Sequence, residues 1–350
     1  MRVLVTDPPA YTPPYDHALC AALAAAGADV RLLTSHFRYG DVPAPAGYTR
    51  DASLYRWSAH IRPRALRLGV KLLEHPRTLA RIARAGEDIV HLQWSALPEA
   101  DAWLLRSRAP LVFTAHDLIP RRTAHKGTTW RRLFARLDAI VVHSENGKRA
   151  LTALGVDERR LHVIPHPVFR CDPPRRDDGR TVAVIGALRP YKGVPEAVEA
   201  TLAVRGARLL VAGDPRIPLE ALRAQAGDRA EWRLGYFSDG ELEQALGEST
   251  VAIFPYRAEL DQSGALLLAL GAGVPAVVYD VGGLGEVVRR FAAGRVVAPG
   301  DRAGLVAALT ELLDDPQALA AARAGADRAR SELTWEASAA AHLDLYRRLL

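Results

Sequence analysis

Residues Phe254–Asp280 read FPYRAELDQSGALLLALGAGVPAVVYD. The run from Val251 to Tyr256 is short, apolar and interrupted by Pro255, the pattern of a buried strand and its end. A polar loop with Glu259 and Asp261 follows. Gln262-Ser263-Gly264 then opens an apolar helix, and Gly271 and Gly273 close it before Pro275 starts a second buried run. Strand, loop, helix and strand in that order predict a parallel βαβ unit. Its helix start turns free N–H groups and the positive end of the helix dipole out of the sheet's carboxyl edge, a natural seat for a phosphate. Asp261, one turn ahead, is placed to accept hydrogen bonds from hydroxyls beside that phosphate, and a sugar diphosphate offers both groups. An ordinary crossover with a polar loop fits this stretch equally well, so the rest of the chain has to decide.

The pattern extends upstream. Thr181 to Ile185 reads as a strand, Gly186 starts a polar loop, residues 193–204 read as a helix and residues 208–212 as the next strand. The loop GALRPYKG carries Arg189 and Lys192 at the strand's carboxyl end, beside a helix start, where two cations suit a diphosphate. The spacing is not that of a Walker loop. Surface cations are common in loops, so this pair gains weight from the Ser263-Gly264 helix start in the same half. Trp232 to Glu243 (WRLGYFSDGELE) gives a strand, a Tyr236-Phe237 turn able to flank a nucleobase or simply to pack, and a helix with Ser238 as N-cap and Glu241 in capping-box position. In VGGLGEVV, Glu286 either reaches a ribose or sugar or balances the dipole of its helix.

The first half repeats the architecture without a detectable sequence repeat. Val3 to Thr6 and Val30 to Thr34 read as strands around a helix from Asp16 to Gly27, while residues 36–60 read as loop. The first turn, TDPPAYTPPY, has four prolines and no glycine, which argues against a nicotinamide or flavin site there. Ile89 to Trp94, Leu111 to His116 and Ala139 to His143 are apolar runs ending in polar residues, and His116-Asp117 is the notable pair at such an end. Ser144 follows the third run. Phe169 to Arg180 (FRCDPPRRDDGR) has no apolar period and reads as a linker. The expected organisation is an α/β chain of two Rossmann-like parallel-sheet domains facing each other across a cleft. These are residues 1–168, a linker at 169–180, residues 181–332, and a C-terminal helix at 333–350 packing back toward the N-terminal domain.

With 350 residues the chain exceeds one typical core. No apolar run is long enough to span a bilayer, and MRVLVTDPPA lacks a signal-peptide plan, so a cytoplasmic location is expected. Cys20 and Cys171 stand far apart and read as free thiols. Part of the net charge of +6 is concentrated. From His60 to Arg84 there are seven basic residues (Arg62, Arg64, Arg67, Lys71, Arg77, Arg81, Arg84) against Glu74, and a second cluster runs through Arg121, Arg122, Lys126, Arg131, Arg132 and Arg136. Such helices suit an anionic membrane surface or substrate, as peripheral association at the inner face of a membrane would require, or are merely solvated faces. No nucleic-acid motif accompanies the charge, and none is expected as a partner.

Several segments together resemble glycosyltransferase family 4, of the GT-B fold. They are HDLIP, DAIVVHSENGKRALTALGVDERRLHVIPHPV, GALRPYKG, GYFSDGELEQALGESTVAIFPY, the QSG helix start and VYDVGGLGEVV, covering the chain from about His116 onward. The resemblance implies a retaining, metal-independent enzyme that moves a hexose from a nucleotide sugar, a UDP- or GDP-sugar, to an acceptor hydroxyl, with no cofactor. It implies that Arg189 and Lys192 clamp the donor diphosphate and that the amides around Gln262, Ser263, Gly264 and Ala265 hold the distal phosphate. Gly186 would let the donor approach, Tyr236-Phe237 would border the base, Glu286 would take the ribose, and His116 and Asp261 would lie against the sugar. Tyr11, Tyr15, Asp117 and Ser144 fall on the acceptor side. Two departures stand out. The family carries a pair of glutamates where this chain has Asp261 and Ala269, and its glycine-bearing first turn is here a glycine-free one. A nucleotide-sugar epimerase on the same fold and a non-catalytic GT-B binding protein are the alternatives. The acceptor (a lipid-linked sugar, a polysaccharide precursor or a small-molecule glycoside) is left open by the residues.

Overall fold

The computed structural model describes every residue except 39, 120–122, 124, 236, 238 and 258–260. Arg121, Arg122, Tyr236, Ser238 and Glu259, singled out above, lie outside the described residues. The chain divides into two compact units, one of Met1–Pro165 with Trp335–Leu350, the other of His166–Thr334.

The first unit is a seven-stranded parallel sheet. In chain order it comprises β1 (Arg2–Asp7), α1 (Pro13–Ala25), β2 (Asp29–Ser35), β3 (Thr49–Leu54), α2 (Arg64–Ala83), β4 (Ile89–Leu92), α3 (Pro98–Leu104), β5 (Leu111–Thr114), α4 (Gly127–Phe134), β6 (Ala139–Val142), α5 (Glu145–Ala153) and β7 (Leu161–Val163). The strand order is β3-β2-β1-β4-β5-β6-β7. The central strands are apolar on both faces because both are covered by helices. Alternation then assigns each side chain its partner: Val3 and Val5 enter the core under α1, whereas Leu4 enters the opposite core with Leu79 and Ile82 of α2.

The second unit has six parallel strands. Its elements are β8 (Thr181–Ile185), α6 (Val194–Ala203), β9 (Arg208–Gly213), α7 (Glu220–Ala226), β10 (Ala230–Leu234), α8 (Asp239–Gly247), β11 (Val251–Phe254), α9 (Gly264–Gly271), β12 (Ala276–Tyr279), α10 (Leu284–Phe291), β13 (Gly294–Val297), α11 (Arg302–Asp314) and α12 (Pro316–Glu332). The order is β10-β9-β8-β11-β12-β13. The final helix, α13 (Trp335–Leu349), belongs to the first unit and packs on α1. Its Tyr346 hydroxyl meets His91 Nδ1 of β4 at 2.6 Å.

Two expectations need correction. Residues 36–60 are not loop throughout, since β3 lies among them. Its sequence TRDASL is polar because β3 is an edge strand, buried only at Leu54, so no apolar run marks it. Helix α1 starts at Pro13, not Asp16. Prolines at its first two positions cost no hydrogen bond, because the first N–H groups of a helix have no partner within it.

Candidate functional site

In both sheets the strand order reverses beside the first strand of the unit, between β1 and β4 and between β8 and β11. Loops leaving the carboxyl ends of those strands diverge and open a crevice, where open parallel sheets bind ligands.

In the second unit the loop after β8 begins at Gly186 (φ +85°) and passes Arg189, exposed, into a short 3-10 turn of Pro190–Lys192. Lys192 Nζ stands 3.3 Å from the point a Cβ on Gly186 would occupy, and the Ala265 methyl stands 3.6 Å from it. The β8 loop and the start of α9 therefore converge on one spot, and only a residue without a side chain leaves that spot open. Three contacts fix the convergence. The Gly193 backbone packs on the Pro255 carbonyl after β11, Arg257 N donates to Tyr191 O at 2.8 Å, and the Arg257 guanidinium pairs with buried Glu196 of α6.

Helix α9 is capped by Ser263, whose Oγ accepts from Leu266 N at 3.4 Å and meets the Tyr256 hydroxyl at 3.2 Å. The Lys192 ammonium lies 5.4 Å from the Tyr256 ring centroid, within cation–π range. Gly264 is exposed and Ala265 half-buried at the mouth of the helix. Asp261 is fully buried. Gln262 Nε2 donates to Gly283 O at 3.3 Å, which ties the α9 start to the turn into α10, where Glu286 is half-buried in the first turn. Phe237 is half-buried ahead of α8. A cation, a helix start and a bare glycine in one place are an arrangement that can seat a phosphate group.

Ala269, where the resembling family has its second glutamate, has no exposure and sits in the apolar core with Leu266 and Leu270.

In the first unit the turn after β1 closes on its own acid. Asp7 Oδ2 accepts from Tyr11 N at 2.7 Å and from Thr12 N at 3.1 Å. The amides that a glycine-rich turn offers to a pyrophosphate are here occupied by a side-chain carboxylate. Asp16, also buried, hydrogen-bonds Asp7. Burial drives both carboxyls upward, Asp7 to about 6 and Asp16 well above the carboxylate range. The nearby Asp7 charge raises Asp16 further, and the two buried carboxyls share a proton.

Next to this turn is an aromatic wall. His116 Nε2 meets Gln93 Oε1 at 2.9 Å, and its ring stacks on Trp94 with centroids 5.3 Å apart. Trp94 Nε1 donates to Thr12 Oγ1 at 3.0 Å, and the exposed Tyr11 ring meets Trp94 edge-on at 5.4 Å. Tyr15 is buried, its ring against His116, His143 and Trp335, so it supports the wall from behind. His143 Nδ1 donates to Ile164 O at 2.9 Å, and burial lowers its pKa to about 4, which keeps it neutral. Ser144 is the N-cap of α5 and accepts from Gly147 N at 2.8 Å, while Asp117 is half-buried beyond His116.

The structure brings Gly186, Lys192, Ser263 and Ala265 together in one unit and His116, Tyr11 and Tyr15 together in the other. Sequence reasoning missed Tyr256, Arg257, Glu196, Gln93, Trp94 and the Asp7–Asp16 pair. Gln93-Trp94, directly after a buried strand beside the reversal point, is a signal that pointed to the wall; the others depend on contacts made only in the fold.

Residues 15–169 match the family model Glycosyltransferase Family 4, and residues 179–315 match Glycosyl transferases group 1. The chain is 27% identical to glycogen synthase of Mycobacterium tuberculosis, over 94% of this chain and 89% of that one. Among solved structures, sucrose-phosphate synthase from Thermosynechococcus elongatus superposes with a TM-score of 0.75 at 20% identity, covering 100% of this chain and 99% of that one. The Anabaena protein HepE in complex with UDP and glucose superposes with a TM-score of 0.69 at 15% identity, covering 99% and 100%.

Proposed function

This chain belongs to glycosyltransferase family 4 and has its GT-B fold, and we propose that it is a retaining hexosyltransferase using a nucleoside-diphosphate sugar. The observation that carries this reading is the convergence of Lys192, Gly186 and Ala265 beside the Ser263-capped start of α9. A UDP- or GDP-sugar places its diphosphate there. Lys192 and Arg189 meet the charge that grows on the leaving oxygen, and the Gly264 and Ala265 amides take the distal phosphate. A HepE structure holding UDP and glucose supports a nucleotide-sugar donor.

In the reaction the bond from the sugar C1 to the phosphate oxygen breaks and a bond from C1 to the acceptor oxygen forms on the same face. The acceptor proton passes to the leaving phosphate, releasing the nucleoside diphosphate. Within the second unit, Glu286 faces the ribose and Phe237 the base. Tyr11 and Trp94 offer the acceptor an aromatic surface. No metal or other cofactor takes part. Incubation with a panel of UDP- and GDP-hexoses, with and without chelator, tests this: one donor releases its nucleoside diphosphate at a rate the chelator leaves unchanged. No release from any donor, with or without candidate acceptors, would favour the binding-protein reading that the apolar Ala269 position suggests.

A further inference from the structure

Helix α2 divides into two halves of opposite character. Its second half is docked: His75, Thr78, Leu79 and Ile82 are buried. The first half stands away from the core and leaves Leu66 (59% exposed), Leu68 (50%), Leu72 (52%) and Leu73 (77%) in water, with Trp57 (58%) on the segment before it. Isolated surface leucines are ordinary, but a cluster on two successive turns is an unpartnered apolar face. The next such pair, Trp103 and Leu104, is partly covered, because the Arg132 guanidinium lies 3.5 Å from the Trp103 ring.

The charges around this face have one sign. Arg62, Arg64 and Arg77 are exposed and Arg67 half-exposed, and among the described residues none of the four has a carboxylate at ion-pair distance. Arg77 lies 5.1 Å from the Trp57 ring. Glu74, the acid of the helix, is turned inward, its oxygens accepting from Trp57 N at 2.9 Å and Ser58 N at 3.0 Å. Lys71 is turned inward as well, donating to Ala96 O at 3.3 Å. That bond holds the helix against the loop after β4, at the carboxyl edge that also carries Trp94 and His116.

We infer that the first half of α2, with Trp57, docks the protein on an anionic lipid surface. Leucines that enter the acyl boundary, an indole at the interface and arginines held at headgroup level are the arrangement an interfacial helix requires, and the inward Glu74 removes the charge that anionic lipid would repel. Among the described residues no helix is long and apolar enough to cross a membrane, so this contact is peripheral. The inference does not rest on the proposed reaction.

Co-sedimentation with vesicles tests it, using phosphatidylcholine alone and an equal mixture with phosphatidylglycerol. The full chain is expected to pellet with the mixed vesicles about tenfold more than with neutral ones, with the preference falling as salt rises. The double variant Leu66→Ser/Leu73→Ser and the triple variant Arg62→Gln/Arg64→Gln/Arg67→Gln should each lose that binding while keeping the wild-type denaturation midpoint. Equal binding to neutral vesicles, no binding, or binding that survives the leucine variant would overturn the inference. So would a wild-type dimer in light scattering that the leucine variant converts to monomer without any vesicle binding, which would assign the face to a second copy of the chain.

Discussion

A Cβ placed on Gly193 would lie 2.0 Å from the carbonyl oxygen of Pro255. The residue also adopts φ +66°, in the left-handed region that favours glycine. The two features together let the β8 loop lie directly on the end of β11, and that contact carries Lys192 to the start of α9.

Gly193→Ala should therefore disturb fold and site together. Strain and overlap, with backbone rather than a flexible side chain in the way, should cost about 3 kcal/mol. Urea denaturation followed by circular dichroism would measure this. A midpoint equal to wild type would mean that the loop has another way to pass Pro255.

Restoring an acid at position 269 is expected to fail. Ala269 has no exposure and its neighbours are apolar, so Ala269→Glu forces a carboxylate into a site with no partner for it. A loss of about 3 kcal/mol or more in stability is predicted, with no gain in nucleotide affinity. A variant that melts like wild type and binds nucleotide more tightly would show that this position does reach the ligand.

The Asp7–Asp16 pair makes stability depend on pH in a defined direction. Both carboxyls titrate higher in the folded chain than the ordinary 3.8, Asp7 at about 6 and Asp16 well above that value. Between pH 3.8 and about 6 the folded state thus holds more protons than the unfolded one, and stability contributed by the pair falls as pH rises through that window. Asp16→Asn keeps a hydrogen-bond donor toward Asp7 and removes the raised carboxyl. Its stability relative to wild type should rise steadily from pH 4 to pH 7 in denaturant titrations. A constant difference across that range would contradict the shared proton.

The wall in the first unit and the phosphate seat in the second predict separable defects. His116→Ala and Trp94→Ala should lower turnover by about a hundredfold or raise the acceptor KM, with nucleoside-diphosphate affinity unchanged. Loss of nucleotide affinity in either variant would remove the division of labour.

Much of this was legible in the sequence for a physical reason. Parallel strands covered on both faces must be apolar throughout, so β1, β4, β5, β6, β8, β11 and β12 read directly as short apolar runs, and prolines and glycines marked the turns between them. Polar β3 escaped because an edge strand needs no apolar face. In the site, Lys192, Gly186 and Ser263 were legible because a cation, a bare backbone and a helix cap are chemistry that residue type alone declares. Tyr256 reads as the end of a strand, and its contact with Ser263 exists only once the loop after β11 has folded back. Asp7 reads as a turn residue and Asp16 as a helix start, since a shared proton depends on distance and burial rather than on spacing.

The central claim, a nucleoside-diphosphate seat built by Lys192 and the start of α9, is tested most directly by calorimetric titration with UDP, GDP, ADP and dTDP without metal. Wild-type protein and Lys192→Ala would be titrated side by side. The account predicts that one diphosphate binds wild type well above the others, and that the variant, folded as wild type, binds it about tenfold to a hundredfold more weakly. Equal affinity in the variant, or no binding of any diphosphate to wild type, would contradict it.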